Sequence, residues 1–456
     1  MAQIVSKTVI YARIVLPFIV LAAALAQVQA QAVPQPDRER LLNGLTILYG
    51  NRPGDPQVLL KLRIQSGAAF DLAGKAGTMA LLADAMFPES TTGEYVAEQL
   101  GGRLDVTTTY DTIDVTISGK ATELERMIEL LRNALMNLNV SPESVATLRE
   151  TKIKELTEKH SSISDSANRA IALRLFGTYP YGQPPEGTAE TVAKIGRGDL
   201  MLARDRFLNA DNAELVVIGG VEKARLMRAA RQILGPWQKS ERIVPATFRQ
   251  AGPVNVRVLL IDEPGAKNAE VRLAVRALPR SDPDAAAASL LATIIKQRWQ
   301  AADGDLSSPM VVHEAHALSG MFMMGASVPL ASVANAVAAA QTVLEAIVHQ
   351  PPTAAELENA KRMTVVKQLS PAESIADAWL DAETYKLPAT SLPPDLNSIS
   401  PADLKRVAAR LFDTAPQAAV VLGNATELKS QFGDKAELPV NLTKPSSNSS
   451  LPPKRP

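Results

Sequence analysis

The stretch DLMLARDRFLNADNAELVVIGG at residues 199–220 returns 204 residues later as DLKRVAARLFDTAPQAAVVLGN at residues 403–424. Each copy begins with the apolar spacing of a helix, continues through a polar turn, and ends in an apolar strand closed by glycine. The two closing glycines are Gly219 and Gly423. A shared arrangement of this length indicates that a large unit of the chain is duplicated.

Two further matches follow the same order along the chain. Pro53-Gly54 precedes the predicted strand VLLKLRI, and Pro264-Gly265 precedes the predicted strand VRLAVRAL. The predicted helix around residues 148–152 matches the one around residues 357–361. Three ordered matches with nearly the same spacing are not expected by chance, so the duplication extends over most of the chain.

We therefore predict two homologous domains, at residues 37–240 and 250–436, joined by a short linker. A unit of about 200 residues is far too long for a solenoid repeat. Strands and helices do not alternate strictly within a unit, and residues 104–118 have the pattern of a hairpin. This favours an α+β fold in which each domain is a largely antiparallel sheet packed with helices.

The composition excludes several classes of function. Of the 456 residues, 46% are apolar and 21% are charged, which is typical of a globular protein. Lys+Arg and Asp+Glu are both 48, so we expect no general nucleic-acid binding, which would need a basic excess. Thiolate chemistry is excluded because the chain has no cysteine. Only four histidines are available: His160, His313, His316 and His349.

The two ends of the chain lie outside the predicted domains. Residues 1–30 have a basic start, a short apolar run and the small-x-small sequence Val28-Gln29-Ala30, which predicts a signal peptide cleaved near Ala30. The apolar run is shorter than a membrane span, so we expect no membrane anchor after cleavage and a periplasmic or secreted protein. Residues 437–456 are rich in Pro, Ser and Asn and predict a disordered tail.

A series of short motifs in the first domain has a distinctive order. These motifs are Asn43-Gly44-Leu45, Ser66-Gly67-Ala68, Gly77 with Met86-Phe87, Leu100-Gly101-Gly102, Phe176-Gly177, Pro180-Tyr181-Gly182, Gly187-Thr188-Ala189-Glu190 and VVIGGVE. In this order the first domain resembles the pitrilysin/insulinase family, the inverted-zinc peptidases that include mitochondrial processing peptidase. The second domain resembles the family's domain without metal. The resemblance covers residues 41–430 and implies duplicated α+β domains.

The family's zinc motif is not present in this sequence. Family peptidases carry H-x-x-E-H on the helix after the glycine that corresponds to Gly77. Two His on one helical face bind zinc and the Glu activates water. The three positions correspond here to Ala80, Ala83 and Asp84. The resemblance therefore implies a chain that is not an enzyme by itself and that has no zinc of its own.

A third family ligand is a Glu on a later helix. Glu150 or Glu155 lies near the expected place in RETKIKELTEK. Without the other ligands, we interpret both as part of a solvated helix face. His313 and His316 form an H-x-x-H spacing, but the surrounding sequence predicts a strand, where these positions point to opposite faces. We therefore interpret them as sheet-surface histidines, and His160 and His349 as residues at helix ends.

The family also holds substrate with an Arg and a Tyr in its second domain. The corresponding stretch here is IIKQRWQAADGDLSSPM. Arg298 matches one of the family's arginines, whereas Ser308 or Pro309 stands near the place of the Tyr. The resemblance thus makes Arg298 the one candidate substrate-binding residue.

These observations lead to one main functional hypothesis and two alternatives. In this family short chains commonly pair, and one subunit can lack zinc. The main hypothesis is a non-catalytic partner of an active zinc peptidase, which helps enclose and bind peptides in a hetero-oligomer. The first alternative is a stand-alone peptide-binding or scaffold protein. The second is a residual metallopeptidase with a displaced metal site.

Overall fold

A computed structural model describes residues 33–138, 140–159, 162–240, 248, 250–363, 371–388 and 395–438. The predicted signal peptide, His160 and nearly all of the predicted tail lie outside these residues. Glu437, which the sequence analysis assigned to the tail, belongs instead to a short strand at residues Ala436–Glu437. Below, residues 33–240 are called the N-terminal domain and residues 250–438 the C-terminal domain.

The N-terminal domain is built on a six-stranded sheet. Its strands are β1 (Asp37–Arg40), β2 (Thr46–Asn51), β3 (Gln57–Ile64), β4 (Leu104–Thr108), β5 (Ile113–Lys120) and β6 (Ala213–Gly219). Their order across the sheet is β1-β2-β6-β3-β5-β4. Only β2 and β6 pair in parallel, and the other neighbours are antiparallel. The predicted hairpin is β4 and β5.

The C-terminal domain repeats this sheet. Its strands are β7 (Val258–Asp262), β8 (Asn268–Arg276), β9 (Ser307–Glu314), β10 (Met321–Pro329), β11 (Ala418–Gly423) and β12 (Ala436–Glu437). Their order is β12-β7-β11-β8-β10-β9. Strand β11 takes the place of β6 and pairs in parallel with β7. The edge differs, because β12 comes from the end of the domain and is parallel to β7, whereas β1 is antiparallel to β2.

Fourteen α-helices surround the sheets in the described part of the chain. In the N-terminal domain they are α1 (Thr78–Met86), α2 (Ser90–Tyr95), α3 (Leu124–Met136), α4 (Pro142–Lys159), α5 (Ile163–Phe176), α6 (Ala189–Ala193), α7 (Arg197–Phe207) and α8 (Lys223–Ile233). In the C-terminal domain they are α9 (Ala285–Ala302), α10 (Val333–His349), α11 (Ala354–Met363), α12 (Pro371–Tyr385), α13 (Pro401–Phe412) and α14 (Ala425–Phe432). The α+β prediction with two homologous domains is confirmed.

The stretch Leu330–His349, which contains α10, is long and apolar enough to span a membrane by composition. In the fold, however, its apolar face is used for packing. Val337 and Leu344 are buried in the core of the C-terminal domain, and α10 packs against α9 and α13. The hydropathy of this helix is therefore explained by burial inside the domain.

Each sheet has one face covered by its own helices and the other by a helix of the opposite domain. Helix α5 of the N-terminal domain lies across β8 and β11. Its apolar positions Ala167, Ile171 and Leu175 recur every four residues and are buried against the sheet of the C-terminal domain. Arg272 of β8 is buried and donates to Asn168 Oδ1 at 2.6 Å and to Ser164 Oγ at 2.7 Å.

Helix α12 of the C-terminal domain makes the reciprocal contact across β3 and β6. Trp379 and Leu380 of α12 are buried against the sheet of the N-terminal domain. Lys61 pairs with Asp377, and Arg63 donates to Asp381 Oδ1 at 2.8 Å. Lys61 stands in β3 where Arg272 stands in β8, so the duplication has kept a cation facing the exchanged helix. The exchange buries two extensive interfaces and holds the domains as one unit.

Candidate functional site

Helix α1 carries the positions that correspond to the zinc motif. Gly77 precedes it at φ +94°, a left-handed conformation that favours glycine. Asp71 accepts backbone N–H bonds from Gly77 at 2.6 Å and Met79 at 2.8 Å, which anchors the helix start. Ala80 and Ala83 are 4% and 2% exposed. Two of the three motif positions are therefore methyl groups packed in the protein interior.

Asp84, at the third motif position, forms an ion pair with a lysine. Lys152 Nζ of α4 lies 2.9 Å from Asp84 Oδ2 and 3.8 Å from Glu155 Oε2. Glu150 and Glu155 are exposed on the same helix. Zinc requires three or four N, O or S ligands, whereas this place offers one carboxylate with an ammonium group against it. The residues present do not fit a zinc ion, and within the described residues no group of three His, Asp or Glu converges.

Arg298 is engaged within the C-terminal domain. It lies on α9 and makes a bidentate pair with Glu356, with Nε–Oε1 at 2.7 Å and Nη2–Oε2 at 3.0 Å. Its Nη1 donates to the carbonyl of Gln350 at 3.0 Å. The Arg298 guanidinium lowers the pKa of Glu356 to about 2. A substrate carboxylate would have to displace Glu356 from Arg298. Substrate binding by Arg298 therefore remains a prediction, and the geometry adds no support to it.

The two histidines of the H-x-x-H spacing are separated by the local fold. Strand β9 ends at Glu314, and the turn that follows brings Gly320 so close that a Cβ there would lie 1.8 Å from the carbonyl oxygen of Glu314. His313 Nδ1 contacts Ser289 Oγ of α9 at 3.3 Å, inside the C-terminal domain. His316 lies in the turn and packs against aromatic rings of the N-terminal domain. His313 lies on a strand, as predicted, whereas His316 lies beyond the end of that strand, and both side chains are half-buried.

The tips of the two equivalent hairpins meet at Asp111. This residue follows β4, and its carboxylate accepts a hydrogen bond from the Tyr181 hydroxyl at 3.1 Å. It also accepts from the backbone N–H of Ala317 at 2.8 Å and from the Tyr385 hydroxyl at 3.2 Å. Burial raises the pKa of both tyrosines, which therefore act as donors. One turn carboxylate thus joins the β4–β5 hairpin to the β9–β10 hairpin and to α12.

A cavity of about 470 Å³ lies beside this junction, between the two domains. Its walls come from the end of β4, one face of α5, the loop after α5, and the hairpin of β9 and β10. The lining residues are Thr108, Thr109, Tyr110, Asp165, Asn168, Arg169, Ala172, Phe176, Tyr181, Pro184, Pro185, Glu186, Met310, Glu314, His316, Met321 and Met323. The size is within the range that is typical of ligand sites.

The cavity lies beside the outer strands of both sheets. Strand β4 pairs only with β5, and β9 pairs only with β10, in the part of the chain that the structure describes. The outer edge of each therefore has backbone groups available for an added strand. An extended peptide can be held in this way by main-chain hydrogen bonds, with its side chains in pockets beside the edge.

The charged groups of the cavity differ in their charged neighbours and in their hydrogen-bond partners. Arg169 has Asp165 and Glu186 as acidic neighbours, and burial lowers its pKa. Its Nη1 is buried without a hydrogen-bond partner among the described residues. Burial also raises the pKa of Glu314, whose oxygens have no hydrogen bond or ion pair to any described residue. Desolvation lowers the pKa of His316, which favours the neutral ring.

The sequence analysis did not identify this cavity, although it did use some of its residues. Tyr110 and Asp111 were interpreted as a hairpin turn, and Tyr181 as part of a family motif. Met321 and Met323 are buried. The only signal was that both hairpins have a polar or aromatic tip, and this did not indicate that the tips meet.

Comparison with known proteins agrees with the family resemblance and the fold. The model described as "Insulinase (Peptidase family M16)" matches residues 46–189. A second, described as "Peptidase M16 inactive domain", matches residues 194–364. The chain belongs to peptidase family M16, the insulinase family. Its sequence contains no H-x-x-E-H motif.

Relatives of this M16 chain include both peptidases and a subunit of another complex. It is 26% identical over 223 residues to cytochrome b-c1 complex subunit 1 of Homo sapiens, covering 47% of this chain and 46% of that protein. It is 20% identical over 216 residues to an uncharacterized zinc protease of Rickettsia felis, covering 46% and 52%. The matched part is thus about half the length of these curated relatives.

The fold agrees with a solved M16 structure over a larger part of the chain. A peptidase M16 inactive domain from Pseudomonas fluorescens superimposes with a TM-score of 0.76. The match covers 85% of this chain and 98% of that one, at 17% sequence identity. This similarity supports the two-domain α+β fold, and the function has to be argued from the residues of this chain.

Proposed function

We propose that this M16 chain is the non-catalytic partner of an active zinc peptidase and helps to enclose and bind its peptide substrates. The observation that carries the proposal is the replacement of the zinc motif inside an intact family fold. Ala80 and Ala83 are packed, and Asp84 is paired with Lys152. Zinc and the general base would belong to the partner subunit, whose metal-bound water would attack the peptide.

The peptide-binding part of the proposal is supported by the cavity between the domains. The outer edges of β4 and β9 can each pair with an extended peptide, and the cavity beside them can accept a side chain. The exchanged helices α5 and α12 keep the two edges at a fixed separation. The chain would therefore offer a preformed surface, which lowers the entropy cost of binding a peptide.

The partner is proposed to be an M16 homologue with an intact H-x-x-E-H motif. One relative of this chain is, by its name, a subunit of the cytochrome b-c1 complex, so assembly into a larger complex has a precedent among similar proteins. We further propose that the chain acts after secretion, in a periplasm or outside the cell, because of the signal-peptide pattern at residues 1–30.

Co-expression tests this proposal directly. The tagged chain should co-purify with an intact homologue encoded by the same genome, and the complex should hydrolyse peptides faster than the homologue alone. A partner with its motif Glu changed to Gln should still co-purify but should show no hydrolysis, which assigns the chemistry to the partner. Absence of both co-purification and stimulation would reject the proposal, and peptide binding by the chain alone would then favour the stand-alone alternative.

A further inference from the structure

A second cavity, called here the β12 cavity, lies at the far edge of the C-terminal sheet. Its volume is about 600 Å³, and its walls come from β7, β12, α14 and the end of α5. Strands β12 and β9 are the two outer strands of this sheet. The β12 cavity is therefore separate from the cavity beside β9 and is not part of the proposed peptide-binding surface.

Positive charge from three elements converges on the β12 cavity. The charged lining consists of Arg174 of α5, Arg257 before β7 and Lys429 of α14, with Glu437 of β12 as the one carboxylate. Arg174 pairs with Glu437, and Arg257 donates to the carbonyl of Ala436 at 2.6 Å. The ammonium group of Lys429 has no hydrogen bond or ion pair with any residue that the structure describes. Three cations against one carboxylate leave an excess of two positive charges, which attracts an anion.

Glu437 is already used by its neighbours and does not neutralise the remaining cations. Hydrogen bonding to Arg174 lowers the pKa of this carboxyl group, and Asn255 Nδ2 donates to it at 3.1 Å. Arg257 is only within 3.9 Å of the same carboxylate and is about half exposed. Arg257 and Lys429 therefore present their charge to solvent at the mouth of the cavity, where an incoming anion can reach them.

The rim of the β12 cavity is apolar and exposed. Val256 is 63% exposed, Leu438 47% and Leu173 45%. Val256 and Leu173 directly precede the cavity residues Arg257 and Arg174, and Leu438 itself lines the cavity. Single exposed apolar residues are common, but here three of them surround one basic cavity. Cations beside exposed apolar side chains are the combination that binds the interface of an anionic membrane.

We propose that the β12 cavity binds the phosphate headgroup of an anionic phospholipid, so that this edge of the C-terminal domain is a peripheral membrane-contact surface. Arg257 and Lys429 would contact the phosphate, while Val256 and Leu438 enter the interfacial layer. A soluble anion would use the cations but would leave the apolar rim in water. The contact is reversible, needs no membrane-spanning segment, and leaves the β9 edge free. The inference is independent of the proposed peptide binding and places the chain at a membrane surface.

Co-sedimentation with lipid vesicles tests the inference. The exported, processed protein is mixed with vesicles of phosphatidylcholine alone or of phosphatidylcholine with phosphatidylglycerol. Binding to the anionic vesicles should be at least tenfold tighter, because each basic residue near such a surface contributes roughly fivefold. It should also weaken as salt is added, since exposed charges are screened.

Two basic-residue variants assign this binding to the cavity. Arg257→Gln/Lys429→Gln should weaken binding to the anionic vesicles about twentyfold. Lys429→Gln alone should weaken it about fivefold, and its fold should be unchanged because Lys429 has no side-chain partner among the described residues. The matched control is Arg231→Gln/Lys239→Gln, which removes the same charge from exposed positions of the N-terminal domain and should bind like the wild type.

The rim is tested by Val256→Ser/Leu438→Ser. This variant should bind the anionic vesicles several-fold more weakly while keeping the salt dependence, because only apolar contact is lost. All variants keep the same N-terminus, so a residual signal peptide cannot account for differences between them. Circular dichroism should match the wild type for each.

The opposite results would overturn the inference. Equal binding to both kinds of vesicle, or no binding to the anionic ones, would reject the membrane surface. An equal loss in the N-terminal control would assign binding to net charge instead of the cavity. Unchanged vesicle binding by the rim variant, together with tight calorimetric binding of soluble glycerol 3-phosphate, would make the cavity a soluble-anion site. None of these results decides the partner proposal, which co-expression tests separately.

Discussion

Replacing Arg63 with methionine tests whether the exchanged helices make the two domains one cooperative unit. Arg63 lies on β3 and is 6% exposed. Its Nε and Nη2 donate to the two oxygens of Asp114, each at 2.8 Å, and its Nη1 donates to Asp381 of α12 at 2.8 Å. Burial alone would lower the pKa of Arg63, but the two carboxylates raise it above its ordinary value. One side chain thus joins the sheet of one domain to a helix of the other.

The expected loss of stability depends on the cations that still contact the two carboxylates after the substitution. Asp114 retains Lys61 at 3.9 Å, and Asp381 retains Arg280 at 2.5 Å. Removal of one partner from a buried ion pair costs about 3–5 kcal/mol, and the remaining cations place Arg63→Met near the lower end. Asp114→Asn in the Arg63→Met background should recover part of this loss, because Asp114 loses both of its Arg63 hydrogen bonds and keeps a cation only at 3.9 Å.

The three tryptophans of the chain provide separate reporters for urea unfolding. Trp237 lies in the N-terminal core, Trp299 in the C-terminal core and Trp379 between the domains. Fluorescence of single-tryptophan variants should show one coincident transition, shifted equally by Arg63→Met at all three sites. The surface control Arg126→Met, whose partner is Glu123 on an exposed face, should change little. A shift confined to Trp379, or a loss below about 1 kcal/mol, would refute the cooperative interface.

Three further predictions concern a buried acid, the replaced motif and the N-terminus. Burial and the carboxylate of Glu383 raise the pKa of Glu214 from 4.5 to about 7, so the wild-type chain should lose stability as the pH rises through this interval. Glu214→Gln should avoid that loss, so its free energy of unfolding should exceed that of the wild type by on the order of 2–3 kcal/mol at pH 8 but by little at pH 4. Equal gains at both pH values would show that burial of the charge is not the cause. The triple variant Ala80→His/Ala83→Glu/Asp84→His should bind no stoichiometric zinc by calorimetry, and overpacking should lower its free energy of unfolding by about 1–3 kcal/mol. Adding Lys152→Glu should create a zinc site. Tight zinc binding by the triple variant would show that Lys152 is not the obstacle. Mass spectrometry of the exported protein should give a mature N-terminus near Gln31, and an intact Met1 in that fraction would contradict the signal-peptide prediction.

The sequence was sufficient for the elements and the duplication. The alternation in β3 and the glycine that closes β6 and β11 are local signals, and the structure has these strands where they were predicted. The hairpin predicted at residues 104–118 is β4 and β5, at Leu104–Thr108 and Ile113–Lys120. The spacing of apolar residues predicts these elements correctly because it records which face of each helix or strand is buried.

The sequence did not predict which elements pack against the apolar faces of the helices. The spacing of Ala167, Ile171 and Leu175 shows that α5 has an apolar face, but it does not tell which sheet that face covers. The exchange of α5 and α12 between domains is a property of the tertiary fold. The sequence therefore predicted two domains without the interface that joins them.

The candidate site was predicted only in its altered motif. Asp84 was identified by its position, but Lys152 is distant in the sequence and only the packing of α4 on α1 brings them together. Asp111 and Glu314 have the sequence context of ordinary turn and strand-end acids. Their surroundings depend on two hairpin tips from different domains, which no local pattern records.

The most direct test of the account is the zinc content and peptidase activity of the purified chain. Element analysis by inductively coupled plasma mass spectrometry should find far less than one zinc per chain, and peptides should not be cleaved by the chain alone. Activity should arise only with an intact M16 partner and should disappear when the motif Glu of that partner is changed. One zinc bound per isolated chain, together with peptide cleavage that a chelator abolishes, would contradict the account.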